Sequence, residues 1–210
     1  MFADYIVKKC VLLTIFFIYY QMNKLLFLLS ILVCFIYAQC DSDEVEIWDF
    51  CYSIEGTTML YNTDNTSGDF PIAICELTNL EILDLNVMFG NTNYITGEIP
   101  ECLGNLINLT YLNLSWNELY GEIPESIGNF PNLTYFSVLS NQLTGEIPET
   151  IGDLSNLTYL NLGFNAFYGE IPESIGNLTN LTELYFSFNQ LTGDIPYTIG
   201  SLQNLTILSI

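Results

Sequence analysis

The chain has 210 residues, half of them hydrophobic, so it is long and apolar enough to bury a globular core, which excludes a disordered protein. Its charge is strongly unbalanced, because 24 acidic residues stand against three lysines, and arginine and histidine are absent. All three lysines precede Leu25, so 23 of the acidic residues lie in a segment without basic side chains, which excludes nucleic acids and acidic polysaccharides as partners.

Residues 22–40 have the pattern of a secretory signal peptide. Lys24 supplies the positive charge, an apolar run extends over residues 25–37, and Ala38-Gln39-Cys40 has the small-x-small pattern of a cleavage site. The pattern predicts export from the cytosol. We therefore expect the mature protein to be secreted or to lie on the extracellular face of the plasma membrane.

Residues 1–21 repeat this pattern more weakly, with Lys8 and Lys9 before an apolar run. One hypothesis is that translation begins at Met22 and that residues 1–21 are an extension produced by a wrong start codon. The other is that residues 10–38 remain as a membrane anchor, in which Lys24 would be costly at the centre of the bilayer. Under both hypotheses the rest of the chain lies outside the cytosol.

A 24-residue unit repeats along the C-terminal two thirds of the chain, and it is the strongest pattern in the sequence. Successive units are nearly identical from Asn108 onward and less regular before it. Between Gly68 and Gly97 the spacing is 29, which predicts a loop over residues 88–94. Each unit predicts one strand, and six predicted strands follow Asn79, Asn108, Asn132, Asn156, Asn180 and Asn204.

Within each unit the pattern L-x-x-L-x-L-x-x-N predicts a short strand followed by a turn. Leu112 and Leu114 point inward in alternation, so the residues between them point outward, and stacked units complete one another's core. A buried asparagine at the turn can bond the backbone groups of the bend. We predict this structural role for Asn117, Asn141, Asn165 and Asn189.

The turn leads into the segment Leu-x-Gly-Glu-Ile-Pro, for example at residues 119–124. With this segment the chain resembles plant-type extracellular leucine-rich-repeat proteins, which include receptor-like kinase ectodomains, receptor-like proteins and polygalacturonase-inhibiting proteins. The resemblance covers residues 68–210. It implies a leucine-rich-repeat solenoid, a curved right-handed α/β-type coil with a parallel β-sheet on the concave face and 3-10 or irregular segments on the convex face.

The resemblance also implies a cysteine-paired cap, which residues 41–67 match only in degenerate form through Trp48 and Cys51. Cys75 and Cys102 could bridge neighbouring repeats, or Cys51 could pair with Cys75. Four cysteines allow three connectivities. The disulfide candidates are Cys40, Cys51, Cys75 and Cys102.

The sequence stops at Ile210 inside a strand pattern. We therefore expect either a fragment of a longer product or a solenoid that closes its open end by association. In the first case a missing C-terminal segment would offer a second route to the membrane, besides an uncleaved N-terminal anchor.

Eight Asn-x-Ser/Thr sequons agree with passage through a glycosylating compartment, although a repeated Asn-Leu-Thr consensus would produce most of them without a glycan. The predicted glycosylation sites are Asn65, Asn108, Asn113, Asn132, Asn156, Asn177, Asn180 and Asn204.

The outward positions of stacked strands form columns along the solenoid, and these columns are the candidate binding surface. They are rich in tyrosine, tryptophan and phenylalanine, which dominate protein interfaces and also stack on sugars. The predicted ligand-binding residues are Tyr111, Asn113, Trp116, Tyr135, Ser137, Tyr159, Asn161, Phe164, Glu183, Tyr185 and Phe188.

Two columns of repeated acids follow each glycine, at Glu98, Glu122, Glu146, Glu170 and Asp194, and at Glu101, Glu125, Glu149 and Glu173. Nine equivalent carboxylates indicate a solvated face and not one tuned pair, and a catalytic site would have no histidine to use. We therefore predict a non-enzymatic protein without catalytic residues, resident metal or cofactor.

These observations predict an extracellular binding protein, receptor-like or secreted, that recognises a protein, peptide or neutral glycan on its concave face. Strong acidity favours a basic ligand. The alternative hypothesis is a structural or adhesive glycoprotein of a cell surface or coat.

Overall fold

The computed structural model describes residues 40–62, 67–87 and 94–210. The predictions for residues 1–21, for the signal peptide before Cys40, for the sequon at Asn65 and for the loop over residues 88–93 therefore lie outside the described residues. In the described part, helices with the length and hydrophobicity to cross a membrane are lacking.

The described residues form short strands and 3-10 helices. The strands are β1 (Glu44–Ile47), β2 (Phe50–Ser53), β3 (Met59–Tyr61), β4 (Gly68–Asp69), β5 (Ile82–Asp84), β6 (Ile95–Glu98), β7 (Tyr111–Asn113), β8 (Glu118–Gly121), β9 (Tyr135–Ser137), β10 (Gln142–Leu143), β11 (Tyr159–Asn161), β12 (Tyr168–Gly169), β13 (Glu183–Tyr185), β14 (Gln190–Leu191) and β15 (Ile207–Ser209). The 3-10 helices are η1 (Ile72–Glu76), η2 (Glu101–Asn105), η3 (Glu125–Asn129), η4 (Glu149–Asp153), η5 (Glu173–Asn177) and η6 (Tyr197–Ser201).

The main sheet contains seven parallel strands in the order β3-β5-β7-β9-β11-β13-β15. Its register follows the repeat, so Tyr111 lies beside Tyr135 and Tyr135 beside Tyr159. All six predicted strands are present. The seventh, β3, comes from the segment that we assigned to the cap, where the leucine pattern is too degenerate to reveal a strand.

A second layer of strands, which the sequence analysis did not predict, follows the main sheet. Strands β4, β6, β8 and β10 form a four-stranded sheet, and β12 pairs with β14. β8 and β10 pair through only two residues each. A segment this short shows no alternation of apolar and polar residues from which a strand could be predicted. The glycine of each Leu-x-Gly segment has positive φ, for example +79° at Gly121, as expected where an unusual angle is needed.

The 3-10 helices line the opposite side of each turn and confirm the predicted solenoid. Each begins directly after a proline, such as Pro124 before η3, whose fixed φ and missing N–H suit a helix start. Ile127 on the same helix is buried and faces the leucines of the strands. Each turn therefore contributes one strand and one helix to a shared core.

The core is one continuous column of apolar side chains. Leu109, Leu112 and Leu114 are at most 1% exposed, and equivalent residues of every complete repeat are buried with them. Burial stabilises the fold by about 1.5–3 kcal/mol for each such side chain. The contacts are mostly between neighbouring repeats, as the sequence predicted.

The asparagine ladder is confirmed. The Asn117 side-chain oxygen accepts a hydrogen bond from the Ile95 N–H at 2.9 Å, and its amide nitrogen donates to the carbonyls of Leu85 and Leu114 at 2.9 and 3.0 Å. Asn141, Asn165 and Asn189 make the equivalent bonds. Each asparagine thus joins two successive turns of backbone.

The N-terminal end of the solenoid is closed by the β1–β2 hairpin. Val45 and Ile47 are buried against the core, and β1 packs on η1. The disulfides join Cys40 to Cys51 within the cap and Cys75 to Cys102 between η1 and η2. This connectivity confirms the bridge between neighbouring repeats and excludes a Cys51–Cys75 pair.

Candidate ligand-binding surface

The concave surface carries a stack of tyrosine rings at the centre of the main sheet. Tyr111, Tyr135 and Tyr159 occupy the same position of adjacent strands, and their ring centroids are 4.3 and 4.4 Å apart with nearly parallel planes. Residue types this large fill the inter-strand spacing completely. The stack is therefore a rigid ridge along three repeats.

Three of the predicted ligand-binding residues are not exposed. Asn113, Ser137 and Asn161 are 7%, 1% and 6% exposed, so the prediction that they offer contact area is wrong for these side chains. For the two asparagines the reason is that tyrosine rings lean over them, while the Ser137 hydroxyl is bonded to Ser115. The hydroxyl oxygens of Tyr111 and Tyr159 accept hydrogen bonds from the Asn113 and Asn161 amides, at 3.4 and 3.0 Å.

These buried polar residues hold the tyrosine stack in place. The Asn113 and Asn161 side-chain oxygens accept from the backbone N–H two residues further on. The hydroxyls of Ser115 and Ser137 bond each other at 2.7 Å between strands. These hydrogen bonds position the tyrosine side chains, and the rings above them form the accessible part of this surface.

The stack ends at the sixth strand of the sheet, where Glu183 replaces the next tyrosine. A tyrosine lies two residues later instead, and the Tyr185 hydroxyl donates a hydrogen bond to Glu183 Oε2 at 2.7 Å. The rings of Tyr159 and Tyr185 are 5.6 Å apart and inclined at 45°. This bond to a carboxylate raises the pKa of Tyr185 to about 12.

Two other phenols of the stack also have raised pKa values. Burial, followed by the neighbouring phenols, raises the pKa of Tyr135 far above its usual range. Burial, followed by the charge of Asp84, raises the pKa of Tyr111. The neutral hydroxyl groups of Tyr111 and Tyr135 can both donate and accept hydrogen bonds.

The remaining predicted aromatics lie along the rim, in the turn that follows each strand. Trp116, Phe164 and Phe188 are 42%, 51% and 70% exposed, and the two phenylalanine rings stack at 4.1 Å. Their φ angles are all positive, and Ser140 in the same column shares this conformation. Backbone hydrogen bonds between neighbouring repeats hold these turns in the positive-φ conformation. Because Ser140 adopts the same conformation, an aromatic side chain is not required for it.

The described part of the concave surface extends further than the sequence indicated. Met59, Tyr61, Ile82 and Asp84 continue the two outward columns on β3 and β5. Met59 and Tyr61 are each 49% exposed. The signal that could have identified them is the short alternation around Leu60, which is followed by an asparagine as in the later repeats.

The repeated sequons form a ladder of their own at the start of each strand. In Asn132, Asn156 and Asn180 the amide nitrogen donates to a carbonyl of the preceding repeat, at 2.7–3.2 Å. The threonine two residues later also donates to the preceding repeat, for example Thr134 to Thr110. The Asn-Leu-Thr consensus therefore has a structural function whether or not a glycan is attached.

We expect Asn113 to carry no glycan in the folded protein, because a sugar on its buried amide would displace Tyr111. Sites of the exposed ladder are spaced about 4.8 Å apart, which is narrower than a branched glycan, so we expect incomplete occupancy there. Asn177 is exposed outside the ladder and serves as the control. Site-resolved mass spectrometry of the secreted protein measures occupancy, and full modification of Asn113 would contradict this expectation. The ladder sites are Asn108, Asn132, Asn156, Asn180 and Asn204.

The two columns of acids line a lateral groove of about 2040 Å³ between the second layer of strands and the 3-10 helices. Several have structural contacts across repeats. The Glu122 side chain lies over Gly145, Thr150 donates to the Glu125 carboxylate at 3.0 Å, and the Ser174 N–H donates to Glu149 at 3.3 Å. These contacts give several of the repeated acids a structural role between neighbouring repeats.

One group of potential metal ligands comes together in the described residues, at Cys40, Glu44 and Cys51. Both sulfurs belong to the Cys40–Cys51 disulfide, so neither is a thiolate that could bind a metal. This group is part of the cap.

The family model for a leucine-rich repeat region matches residues 69–210. No curated protein matches the chain. Among solved structures, the ectodomain of the Arabidopsis thaliana membrane receptor kinase GASSHO1/SCHENGEN3, in complex with Casparian strip integrity factor 2, is 35% identical with a TM-score of 0.65, over 69% of this chain and 17% of that chain.

Two further structures are similar. A TDR receptor is 40% identical with a TM-score of 0.65, over 69% of this chain and 24% of that chain. The Arabidopsis receptor kinase HAESA, in complex with the peptide hormone IDA and the co-receptor SERK1, is 32% identical with a TM-score of 0.66, over 76% of this chain and 27% of that one. The chain thus spans less than a third of the length of each.

Proposed function

We propose, from the premise that the chain belongs to the plant-type extracellular leucine-rich-repeat family, that it is an extracellular binding module for a protein or peptide. The proposed contact surface is the tyrosine ridge together with the aromatic rim. The tyrosine stack carries this proposal, because its half-buried rings are rigid and still present edges and hydroxyl groups to solvent, and rigid aromatic side chains are enriched among the residues that supply binding energy in interfaces. Two of the similar ectodomains are described in complexes with a peptide hormone or an integrity factor.

A peptide fits this surface better than a glycan does. Sugars stack on the flat faces of aromatic rings, and Tyr135 has both faces covered, by Tyr111 at 4.3 Å and Tyr159 at 4.4 Å. What remains is a row of ring edges and hydroxyl groups. Such a row can contact side chains and bond the N–H and C=O groups of an extended backbone.

Electrostatics favours a basic ligand. From Asp41 onward the chain has 23 carboxylates and no lysine or arginine, so the field around the solenoid attracts cationic partners and repels acidic ones. The disulfides Cys40–Cys51 and Cys75–Cys102 agree with an oxidising, extracellular location. This function is compatible with a secreted protein and with a membrane-bound one.

The test is selection of peptide ligands from a random displayed library, followed by affinity measurements on variants. The double variant Tyr135→Ala/Tyr159→Ala is expected to weaken selected peptides at least about tenfold, as for residues at the centre of an interface. The control is Tyr120→Ala/Tyr168→Ala, which removes two tyrosines from the second layer of strands that are more exposed than the half-buried Tyr135 and Tyr159. Titration calorimetry measures both.

Peptides that lose affinity for the control variant and retain it for the concave variant would refute the proposed surface. The alternative of a structural or adhesive coat glycoprotein stays a hypothesis. It predicts that the library yields no ligand whose binding depends on the tyrosine ridge and that the protein forms concentration-dependent assemblies.

A further inference from the structure

We propose that Tyr159, Glu183 and Tyr185 form a subsite for one arginine side chain of the ligand, an inference that rests on the proposed function. We call these three residues the cation subsite. They lie where the tyrosine ridge ends, on strands β11 and β13. Together they combine a carboxylate with two aromatic rings, the arrangement that recognises a guanidinium group by charge and by ring stacking.

The subsite lies at a break in the column of stacked rings. Glu183 occupies the column between Tyr159 and Ile207, with which it is paired in the sheet register. The position that a fourth stacked ring would take is therefore held by an acyclic side chain, which is partly exposed. A cation that binds this carboxylate from solvent lies beside the neighbouring tyrosine rings.

Tyr159 has a parallel neighbour on one side only. Tyr135 stacks on it at 4.4 Å, whereas the ring of Tyr185 is 5.6 Å away and inclined at 45°. The Tyr159 and Tyr185 rings therefore meet at an angle beside the Glu183 carboxylate. Tyr111 and Tyr135, in contrast, are followed in their column by another tyrosine, so the end of the ridge is chemically different from its centre.

Glu183 has acceptor capacity left for a cation. The Tyr185 hydroxyl occupies Oε2 at 2.7 Å, and a carboxylate can accept about four hydrogen bonds. This bond also orients the carboxylate relative to the two rings. No lysine or arginine follows Lys24 in the sequence, so the repeats contain no basic side chain that could pair with Glu183. A basic ligand side chain can therefore bind Glu183 without displacing an internal ion pair.

The probes are N-acetyl-arginine amide and its neutral analogue N-acetyl-citrulline amide, titrated into the protein with labelled tyrosine rings and followed by nuclear magnetic resonance. We expect the arginine probe to shift the signals of Tyr159 and Tyr185, and to bind at least about fivefold more tightly than citrulline. In Glu183→Gln this preference should fall to about one. The matched control Glu170→Gln removes an acid of the lateral groove and should leave it unchanged.

A second variant protects the test against a folding defect. Tyr185→Phe keeps the charge of Glu183 and the aromatic ring but removes the orienting hydrogen bond, so the arginine preference should persist in reduced form, between those of the unmodified protein and Glu183→Gln, and unchanged signals of Tyr111 and Tyr135 report an intact ridge. An equal preference in Glu183→Gln and the unmodified protein, or the absence of a preference in the unmodified protein, would overturn the cation subsite. If the library peptides still depend on Tyr135 and Tyr159, only the subsite fails. If they do not, the proposed function fails as well.

Discussion

Replacing Asn141 with alanine is expected to lower the free energy of unfolding by about 3 kcal/mol. Its side-chain oxygen is the acceptor for the N–H of Leu119, which is fully buried, so this group would be left without its partner. Its amide also donates to the carbonyls of Leu114 and Val138 at 3.0 Å. The Leu114 carbonyl keeps a hydrogen bond from Asn117, and the Val138 carbonyl keeps one from Asn165. Losing the bonds from Asn141 therefore costs less free energy at these two carbonyls than at the Leu119 N–H.

The control for Asn141→Ala is Asn156→Ala, on the exposed ladder. Asn156 donates one bond, to the Pro131 carbonyl at 2.7 Å, and its loss should cost below about 1 kcal/mol. Urea unfolding followed by circular dichroism on unglycosylated protein gives both values. Equal losses in the two variants would show that the inner ladder stabilises the solenoid no more than a surface hydrogen bond does.

Gly152→Ala is expected to destabilise the protein by about 2–3 kcal/mol because it separates two 3-10 helices that touch through their backbones. A Cβ at this position would lie 2.5 Å from the Cβ and the carbonyl oxygen of Ser174 on the next helix. The buried core fixes the distance between repeats, so η4 and η5 cannot separate without losing apolar contacts.

Gly200 offers a matched control in the last turn, where a Cβ would meet nothing within 4 Å. It occupies the same position of its 3-10 helix, so the change in backbone entropy is common to both variants and only the contact differs. Gly200→Ala should change the stability by less than about 0.5 kcal/mol. Thermal unfolding of the two variants measures both changes in stability. A comparable loss of stability in Gly200→Ala would show that the close approach of η4 and η5 does not cause the destabilisation by Gly152→Ala.

The repeat period carried most of the prediction of the fold. A period of 24 places equivalent residues on neighbouring strands, so the register of Tyr111, Tyr135 and Tyr159 could be inferred directly from their spacing. The asparagine ladder could be predicted as well, since a polar side chain at a buried turn needs backbone partners. Both are local consequences of identical units stacked in order.

Outside the regular repeats, the sequence predicted strands and disulfide pairing less well. The strand at Met59–Tyr61 and the pairing Cys75–Cys102 fall in the degenerate N-terminal part, where no exact period constrains the geometry. The second layer of strands was missed because its hydrogen bonds join segments of two to four residues. Such segments become strands only when a neighbouring repeat supplies the partner.

The sequence by itself determined the solenoid, the concave column of tyrosines and the strongly acidic character, because composition and period are properties of the chain alone. Only the tertiary structure decided which outward positions are surface. Alternation predicts which way a side chain points but not whether another side chain covers it. Asn113, Ser137 and Asn161 point outward, yet all three are buried, and the rings of Tyr111 and Tyr159 lean across the two asparagines. In the same way, the repeat period could not predict the inclination of Tyr185, on which the proposed cation subsite rests, because it depends on a side-chain hydrogen bond to Glu183.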